Sequence, residues 1–380
     1  YNNALITITK DATADPYVLY HQNKFYMTFT AGDRVEIWCS STLHDLQAQS
    51  SKHTIWRPPP NTPYSGDIWA PELHALFGRW YVYFAADDPQ HGNKSHRMFV
   101  LGGPPSDSDP CQEGQWEFLS HLRGMPPGQW AIDGTCIELA GSLYHIYSGW
   151  PLHKPFSPDE KRQELYIIRM FTATECDESR PPTRISTPEH GWEFSGDAGI
   201  NEGPQVLKSR DGGWQGIAYS CAGSWTKEYK MNTLRWNGGD PMDARSWQKS
   251  REPLLVAGGR GPWGPGHGSF IEVGGELVGV FHATDNEADG WANRRARVQR
   301  VVFTERGPSM GRCCGPHCGT WDQFLTGVGS GGHGHGHGGF PGAHGGGGGG
   351  GSGGHSGLRQ AFKDMNPRNI MHGLKNEFKK

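Results

Sequence analysis

The chain has 380 residues, 35% of them hydrophobic and 20% charged, with a formal net charge of −3, so it is long enough to bury a substantial core. Its body holds no basic block and no long apolar run, which excludes the electrostatic footprint of a nucleic-acid binder and the ~20 apolar residues of a membrane-crossing helix. It opens at Tyr1 with neither an initiator Met nor an apolar signal core, as expected of a mature extracellular chain or of a trimmed one.

Taken in order, the predicted elements repeat one pattern. ADPYVLYHQNKFYMTFTAG (14–32) reads as a short apolar strand, an Asn-bearing turn and an aromatic-rich second strand that ends in small residues. WAPELHALFGRWYVYFAAD (69–87), IDGTCIELAGSLYHIYSGW (132–150), NEGPQVLKSRDGGWQGIAYSCAG (201–223) and GHGSFIEVGGELVGVFHAT (266–284) repeat it. The segments VEIWCS, HRMFVLG, ELYIIRMF, YKMNTLRW and RARVQRVVF follow the copies and offer a third strand to each. Units of three or four antiparallel strands, recurring without a long amphipathic helix between them, are what propeller blades look like. Five copies predict an all-β, five-bladed β-propeller over residues 1–320.

Between the hairpins, WRPPPNTPYSGD (56–67) and PPSDSDPCQEGQ (104–115) read as surface loops able to wall a pocket. Residues 327–357 are mostly Gly and His and cannot bury enough apolar surface to offset their ordering entropy, so a disordered linker is expected. Residues 358–380 form a basic, faintly amphipathic tail whose helix Pro367 and Gly373 would weaken. Of the eight cysteines, Cys39, Cys136 and Cys221 lie in or beside strand-like runs and read as buried thiols. Cys313, Cys314, His317 and Cys318 are zinc-ligand types without the paired spacing of a structural site.

Counting back from the aromatic of each second strand, Asp15, Asp133 and His267 lie fourteen residues upstream of Phe29, Tyr147 and Phe281, and Glu202 lies seventeen upstream of Tyr219. The turn SRDGG after Glu202 reads as about three residues longer than the others, which places the four polar residues at equivalent points. First strands line the channel of a propeller, so all four are expected at one axial mouth. Crowded acids cannot all ionise freely, because burial and like charge raise carboxyl pKa values. One can remain an acid while another remains a base, which is what glycosidic bond hydrolysis requires. Sugars also favour aromatic platforms, and Trp69, Trp150, Trp225 and Trp263 lie near hairpin ends, whereas Trp80 and Trp214 are expected to pack between blades.

The ordered set ADPYV, WAPEL, AIDGT, NEGPQ and GPGHGSF resembles glycoside hydrolase family 43, inverting arabinofuranosidases, arabinanases and β-xylosidases on a five-bladed propeller. YNNALI, RVEIWCSSTLHDL and NRRARVQ are most similar to its exo-acting α-L-arabinofuranosidase branch. The resemblance implies Asp15 as general base, Glu202 as general acid and Asp133 as the residue that raises the pKa of Glu202 and holds it. It implies His267 beside a metal ion, usually calcium, in the axial channel, and an arginine from NRRARVQ, Arg295 or Arg297, against the sugar. The expected activity is release of terminal α-L-arabinofuranosyl residues from plant cell-wall polysaccharide, by a monomer with neither nucleic-acid nor membrane partners. The alternatives are a β-xylosidase, an endo-arabinanase, or a propeller that binds glycans without cleaving them; a retaining fructan hydrolase would need a WMNDPNG-like opening, which is missing.

Overall fold

The structure is a computed structural model and describes residues 5–152 and 160–313. The Gly/His-rich segment 327–357, the basic tail 358–380, Cys314, His317, Cys318 and the first four residues of the YNNALI motif lie outside the described residues. What is described is nearly all β.

After β1 (Leu5–Thr7), the first antiparallel meander is β2 (Tyr17–His21), β3 (Lys24–Thr28), β4 (Val35–Ser40) and β5 (Ser51–Trp56). The second is β6 (Gly66–Leu76), β7 (Arg79–Asp87), β8 (Arg97–Pro105) and β9 (Glu117–His121). In the third, β10 (Ala131–Leu139), β11 (Ser142–Gly149) and β12 (Arg162–Thr172) are flanked by β13 (Glu175–Cys176) and β14 (Thr183–Ser186), both paired to β12. In the fourth, β15 (Phe194–Ser195) pairs with β16 (Ala198–Lys208), which leads to β17 (Gln215–Cys221) and β18 (Lys230–Trp236), with β19 (Trp247–Lys249) and β20 (Leu255–Val256) beside β18. The fifth has β21 (Trp263–Val273), β22 (Glu276–Thr284) and β23 (Arg295–Arg300). Its fourth place is taken by β1 from the other end of the chain, antiparallel to β23 with Leu5 opposite Gln299. That pairing covers the outer edge of β23.

The turns explain why the hairpins close where the sequence suggested. Gln22–Asn23, Phe77–Gly78, Ala140–Gly141 and Gly274–Gly275 are two-residue connections with positive φ at both positions. Such turns match the right-handed twist of their strands, and Gly and Asn tolerate the conformation best.

Apolar residues of consecutive meanders interlock. Ile37 and Cys39 pack with Val82 and Phe84, Tyr83 and Val100 with Tyr147 and Ile168, and Ile146 and Ile167 with Tyr219 and Leu234. Leu207 and Ala218 pack with Phe281 and Ala283, and Phe25 and Met27 with Val280 and Val298, which brings the fifth meander back to the first. The first strands touch in the same cyclic order, β2 to β6, β6 to β10, β10 to β16, β16 to β21 and β21 to β2. Trp80 and Trp214 are buried, as expected of packing residues. Cys39, Cys136 and Cys221 are buried thiols, and no disulfide joins them to one another or to Cys111 or Cys176. No helix among the described residues is long and apolar enough to cross a membrane.

Candidate active site

The ring of first strands carries a repeated backbone irregularity. Pairing slips by one residue around Ala70–Pro71 in β6, Asp133–Gly134 in β10, Gly203–Pro204 in β16 and His267–Gly268 in β21. Each is a bulge, a device that re-aims the side chains around it. Its first residue has positive φ in every case, 44° at Ala70, 57° at Asp133, 56° at Gly203 and 48° at His267, and Asp15, just ahead of β2, has 56°. For a residue other than Gly this conformation costs about 1–3 kcal/mol and persists only where the surroundings enforce it.

The equivalent of Asp15, Asp133 and His267 in the fourth meander is therefore Gly203, which corrects the alignment of Glu202 with them. Glu202 lies one residue earlier, opposite Ser220, where β10 has Ile132 opposite Ser148. The connection after β16 spans 209–214, four residues more than the two-residue turns, but each strand between bulge and turn is one residue shorter than in the third meander. The net lengthening is two residues rather than three. A Cβ at Gly203 would lie 3.2 Å from the His267 ring, and its N–H donates to Asp133 Oδ2 at 3.1 Å.

The four polar residues nevertheless meet. Asp15 Oδ1 lies 3.2 Å from His267 Nδ1, 3.4 Å from His282 Nδ1 and 3.5 Å from Arg294 Nη1. Its Oδ2 accepts the Thr30 hydroxyl at 2.7 Å. The Asp15 N–H donates to His282 Nδ1 at 3.0 Å, so that nitrogen carries no proton. His267 Nδ1 is 3.9 Å from Asp133 Oδ2. Glu202 Oε1 accepts the Tyr229 hydroxyl at 2.8 Å, and the Tyr229 ring stacks on His282. Asp133, Glu202 and His267 are buried, and the Asp15 side chain is 13% exposed.

These surroundings split the acids into opposite states. Burial, then the charge of Asp133, pushes Glu202 up to about 8, against the opposing Tyr229 hydrogen bond. Burial of Asp15 acts upward too, but Arg294 and His267 outweigh it and hold its carboxyl well below the ordinary carboxylate range. Asp133 rises to about 6, through burial and despite His267, with Asp15 and Glu72 adding to the rise. For His267, burial works downward, and Asp15 and Asp133 overcome it to raise the imidazole to about 9. Near neutral pH these directions favour a protonated Glu202 and an ionised Asp15 in one buried cluster.

Calcium takes six to eight oxygen ligands and a ligating imidazole must be neutral. His267 turns Nδ1 to Asp15, as a ligating histidine commonly turns its second nitrogen to a carboxylate, so Nε2 is the nitrogen that would hold an ion. Among the described residues no three His, Cys, Asp or Glu side chains are gathered to hold an ion. The described side chains alone do not complete a coordination shell for such an ion.

The expected sugar-binding residues divide. Trp69 is half-buried and stacked on His96 at 3.9 Å, and the next residue, Ala70, donates its N–H to Thr30 Oγ1, which ties this segment to Asp15. Trp225 is half-buried and meets Trp291 edge-on. Trp150 is a correction: it is only 5% exposed and stacked on Trp130 at 5.0 Å, so its ring is committed to packing. The arginine assignment also changes, because Arg295 and Arg297 both pair with Asp285 and it is Arg294 that reaches Asp15. Arg294 stands in the motif NRRARVQ that pointed to this region. Thr30, Tyr229 and His282 were missed; each is a lone polar residue in an otherwise ordinary strand or loop, with no spacing to single it out.

Residues 5–308 match the family described as Glycosyl hydrolases family 43. The chain is 33% identical to the extracellular exo-α-(1→5)-L-arabinofuranosidase of Streptomyces chartreusis, over 74% of this chain and 82% of that protein. It is 32% identical to the protein of the same description from Streptomyces avermitilis, over 78% of this chain but only 61% of the relative's length. Among solved structures, an α-L-arabinofuranosidase from Lactobacillus brevis matches with a TM-score of 0.69 and 28% identity, covering 80% of this chain and 94% of that one.

Proposed function

The chain belongs to glycosyl hydrolases family 43, and from that premise we propose that it is an extracellular, inverting α-L-arabinofuranosidase that removes terminal arabinofuranosyl residues from arabinan or arabinose-bearing cell-wall polysaccharide. The observation that carries the reading is the cluster in which Asp15, paired with Arg294 and His267 and held toward its ionised form, lies near a buried Glu202 bonded to Tyr229 and pushed toward its protonated form. In this reading the five meanders are the blades of a five-bladed β-propeller, residues 1–320 are its catalytic domain, and the protein acts as a monomer. Residues 327–357 are a linker to a tail, 358–380, of unassigned role.

Asp15, ionised and held by Thr30, Arg294 and His267, takes a proton from water as that water attacks the anomeric carbon. Glu202 gives its proton to the departing glycosidic oxygen. Asp133, bonded to the Gly203 N–H, keeps Glu202 protonated through its charge and fixes the bulge that carries it. Attack and departure on opposite faces of the ring invert the anomeric centre. Trp69 and Trp225 offer aromatic faces to the sugars. The sugar-facing arginine is assigned to Arg294, since Arg295 is engaged by Asp285.

Proton NMR of the first-formed product tests substrate and stereochemistry together. Debranched α-1,5-arabinan should release β-arabinose first, and xylo-oligosaccharides should remain intact. Release of xylose would move the protein to the β-xylosidases, and no release from any substrate would leave a glycan-binding propeller. Dialysis against a chelator followed by calcium addition tests the ion apart from the acids. Activity that falls and then recovers with calcium would support an ion held at His267, and an unchanged rate would count against it.

A further inference from the structure

Glu202 sits where β16 leaves its ladder. Regular pairing holds at Glu202 opposite Ser220 and resumes only at Gln205 opposite Ala218. Between them lie Gly203, in the left-handed region, and Pro204, which has no N–H to donate. Local pairing therefore fixes Glu202 on one side only, and the residues that flank Glu202 and its bulge, Asn201 before and Gln205 after, become its anchors.

Both anchors are buried, and each ends on a buried carboxylate outside the proposed catalytic trio. Asn201 Nδ2 donates to Glu193 Oε1 at 2.8 Å, its Oδ1 accepts the Ser186 hydroxyl at 2.6 Å, and its carbonyl accepts the Ser148 hydroxyl at 2.9 Å. Glu193 is itself held by the Lys249 ammonium at 3.0 Å, the Tyr219 hydroxyl at 2.8 Å, and the backbone N–H groups of Glu189 and His190. At the other end Gln205 Nε2 donates to Glu72 Oε1, and Glu72 Oε2 lies 2.8 Å from His74 Nε2. Glu193 is 0% and Glu72 1% exposed, so neither hydrogen-bond set is diluted by solvent. A buried carboxylate without such partners would be costly, which keeps each network in one geometry.

We infer that Glu193, through Asn201, and Glu72, through Gln205, are positioning residues that clamp the bulge of β16 from both ends and so aim Glu202 at the glycosidic oxygen. The inference rests on the reading of Glu202 as general acid. A clamp of this kind acts on proton donation alone, because Asp15 lies in the segment ahead of β2 with its own partners. Its loss therefore matters in proportion to how much the leaving group needs a proton.

The test compares two substrates in the whole chain. Arabinobiose departs as an alcohol and needs the proton; 2,4-dinitrophenyl α-L-arabinofuranoside departs as a stable phenolate and does not. Gln205→Ala and Glu193→Gln should each lower kcat on arabinobiose about 10- to 100-fold, part of what a general acid contributes. On the dinitrophenyl substrate kcat should stay within about threefold, with KM on both nearly unchanged. Gln205→Glu, which puts a second carboxylate against Glu72, should reproduce the Ala defect, whereas Gln205→His, which keeps a donor there, should recover part of the arabinobiose rate. Should Glu193→Gln fail to fold, the Gln205 variants carry the test alone, with melting temperature recorded beside the rates. Equal losses on the two substrates, or no loss on either, would overturn the clamp. Glu202→Ala is the control for the underlying reading: if it too fails to spare the dinitrophenyl substrate, the general-acid assignment fails, whatever the clamp variants do.

Discussion

The bulges of β6 and β10 share a backbone and differ in everything they carry. Ala70–Pro71 and Asp133–Gly134 interrupt pairing at the same point of consecutive first strands, each with a left-handed first residue. Yet Ala70 offers only its N–H, to Thr30, whereas Asp133 offers a buried carboxylate that bonds the Gly203 N–H and faces His267. The architecture supplies equivalent strained positions around the ring, and the residue at each decides whether it becomes chemistry or a strut. β16 is a third variation: Gly occupies the strained position against His267, and the acid has moved one residue upstream.

The sharpest way to break this comparison is at the positions that carry charge. Asp15→Ala removes the proposed base and should lower kcat on arabinan about 10³-fold or more, with the melting temperature changed by only a few degrees. Comparable loss from Ala70→Ser, at an uncharged member of the ring, would refute the division between chemistry and strut. Asp133→Asn comes next. It removes the second-largest cause of the high Glu202 pKa, so kcat should fall about 10- to 100-fold, and the alkaline limb of its pH profile should move to lower pH. In the wild type that limb should lie near pH 8, where Glu202 loses its proton. The acid limb should lie at the low pH where Asp15 gains one.

A smaller effect separates stability from activity at the same residue. Glu202 is raised from 4.5 to about 8 by folding, so the stability tied to its protonated form is complete below pH 4.5 and is lost as pH rises through 8. Glu202→Gln should therefore melt above the wild type at pH 9 and lose that advantage at pH 4, although it lacks the acid at both; calorimetry at the two values checks the sign. The smallest expected change is at the strut. Ala70→Gly relieves an L-residue held at φ 44° and should stabilise the fold by about 0.5–1 kcal/mol in denaturant titration, without altering kcat. The matching change Asp133→Gly should relieve the same strain and cost activity, which isolates the carboxylate as the difference between the two bulges.

Local signals carried much of this protein. Two-residue turns such as Gln22–Asn23 and Ala140–Gly141 stand between short apolar runs, and period-two strands with Gly- or Asn-bearing turns need no distant partner to be recognised. The repeat of that hairpin gave the ring of equivalent positions, and with it the company of Asp15, Asp133, Glu202 and His267. What failed in sequence was fine register and partner choice. The place of Glu202 depended on strand lengths on both sides of the 209–214 connection, and these are set by pairing across the sheet. Trp150 looked like Trp69 along the chain, but Trp150 is buried where Trp69 stays half-buried. Arg294 was passed over for two neighbours because only the folded chain shows Asp285 engaging Arg295 and Arg297. The sequence by itself determined the unit, its repetition and the residue types at the mouth, since these follow from backbone propensity and apolar periodicity within about twenty residues. Tertiary structure alone decided which acid stays protonated, because the charges around the buried Glu202 are those of Asp133, His267 and Asp15 and its hydrogen bond comes from Tyr229, on strands and loops that only the closed ring brings together.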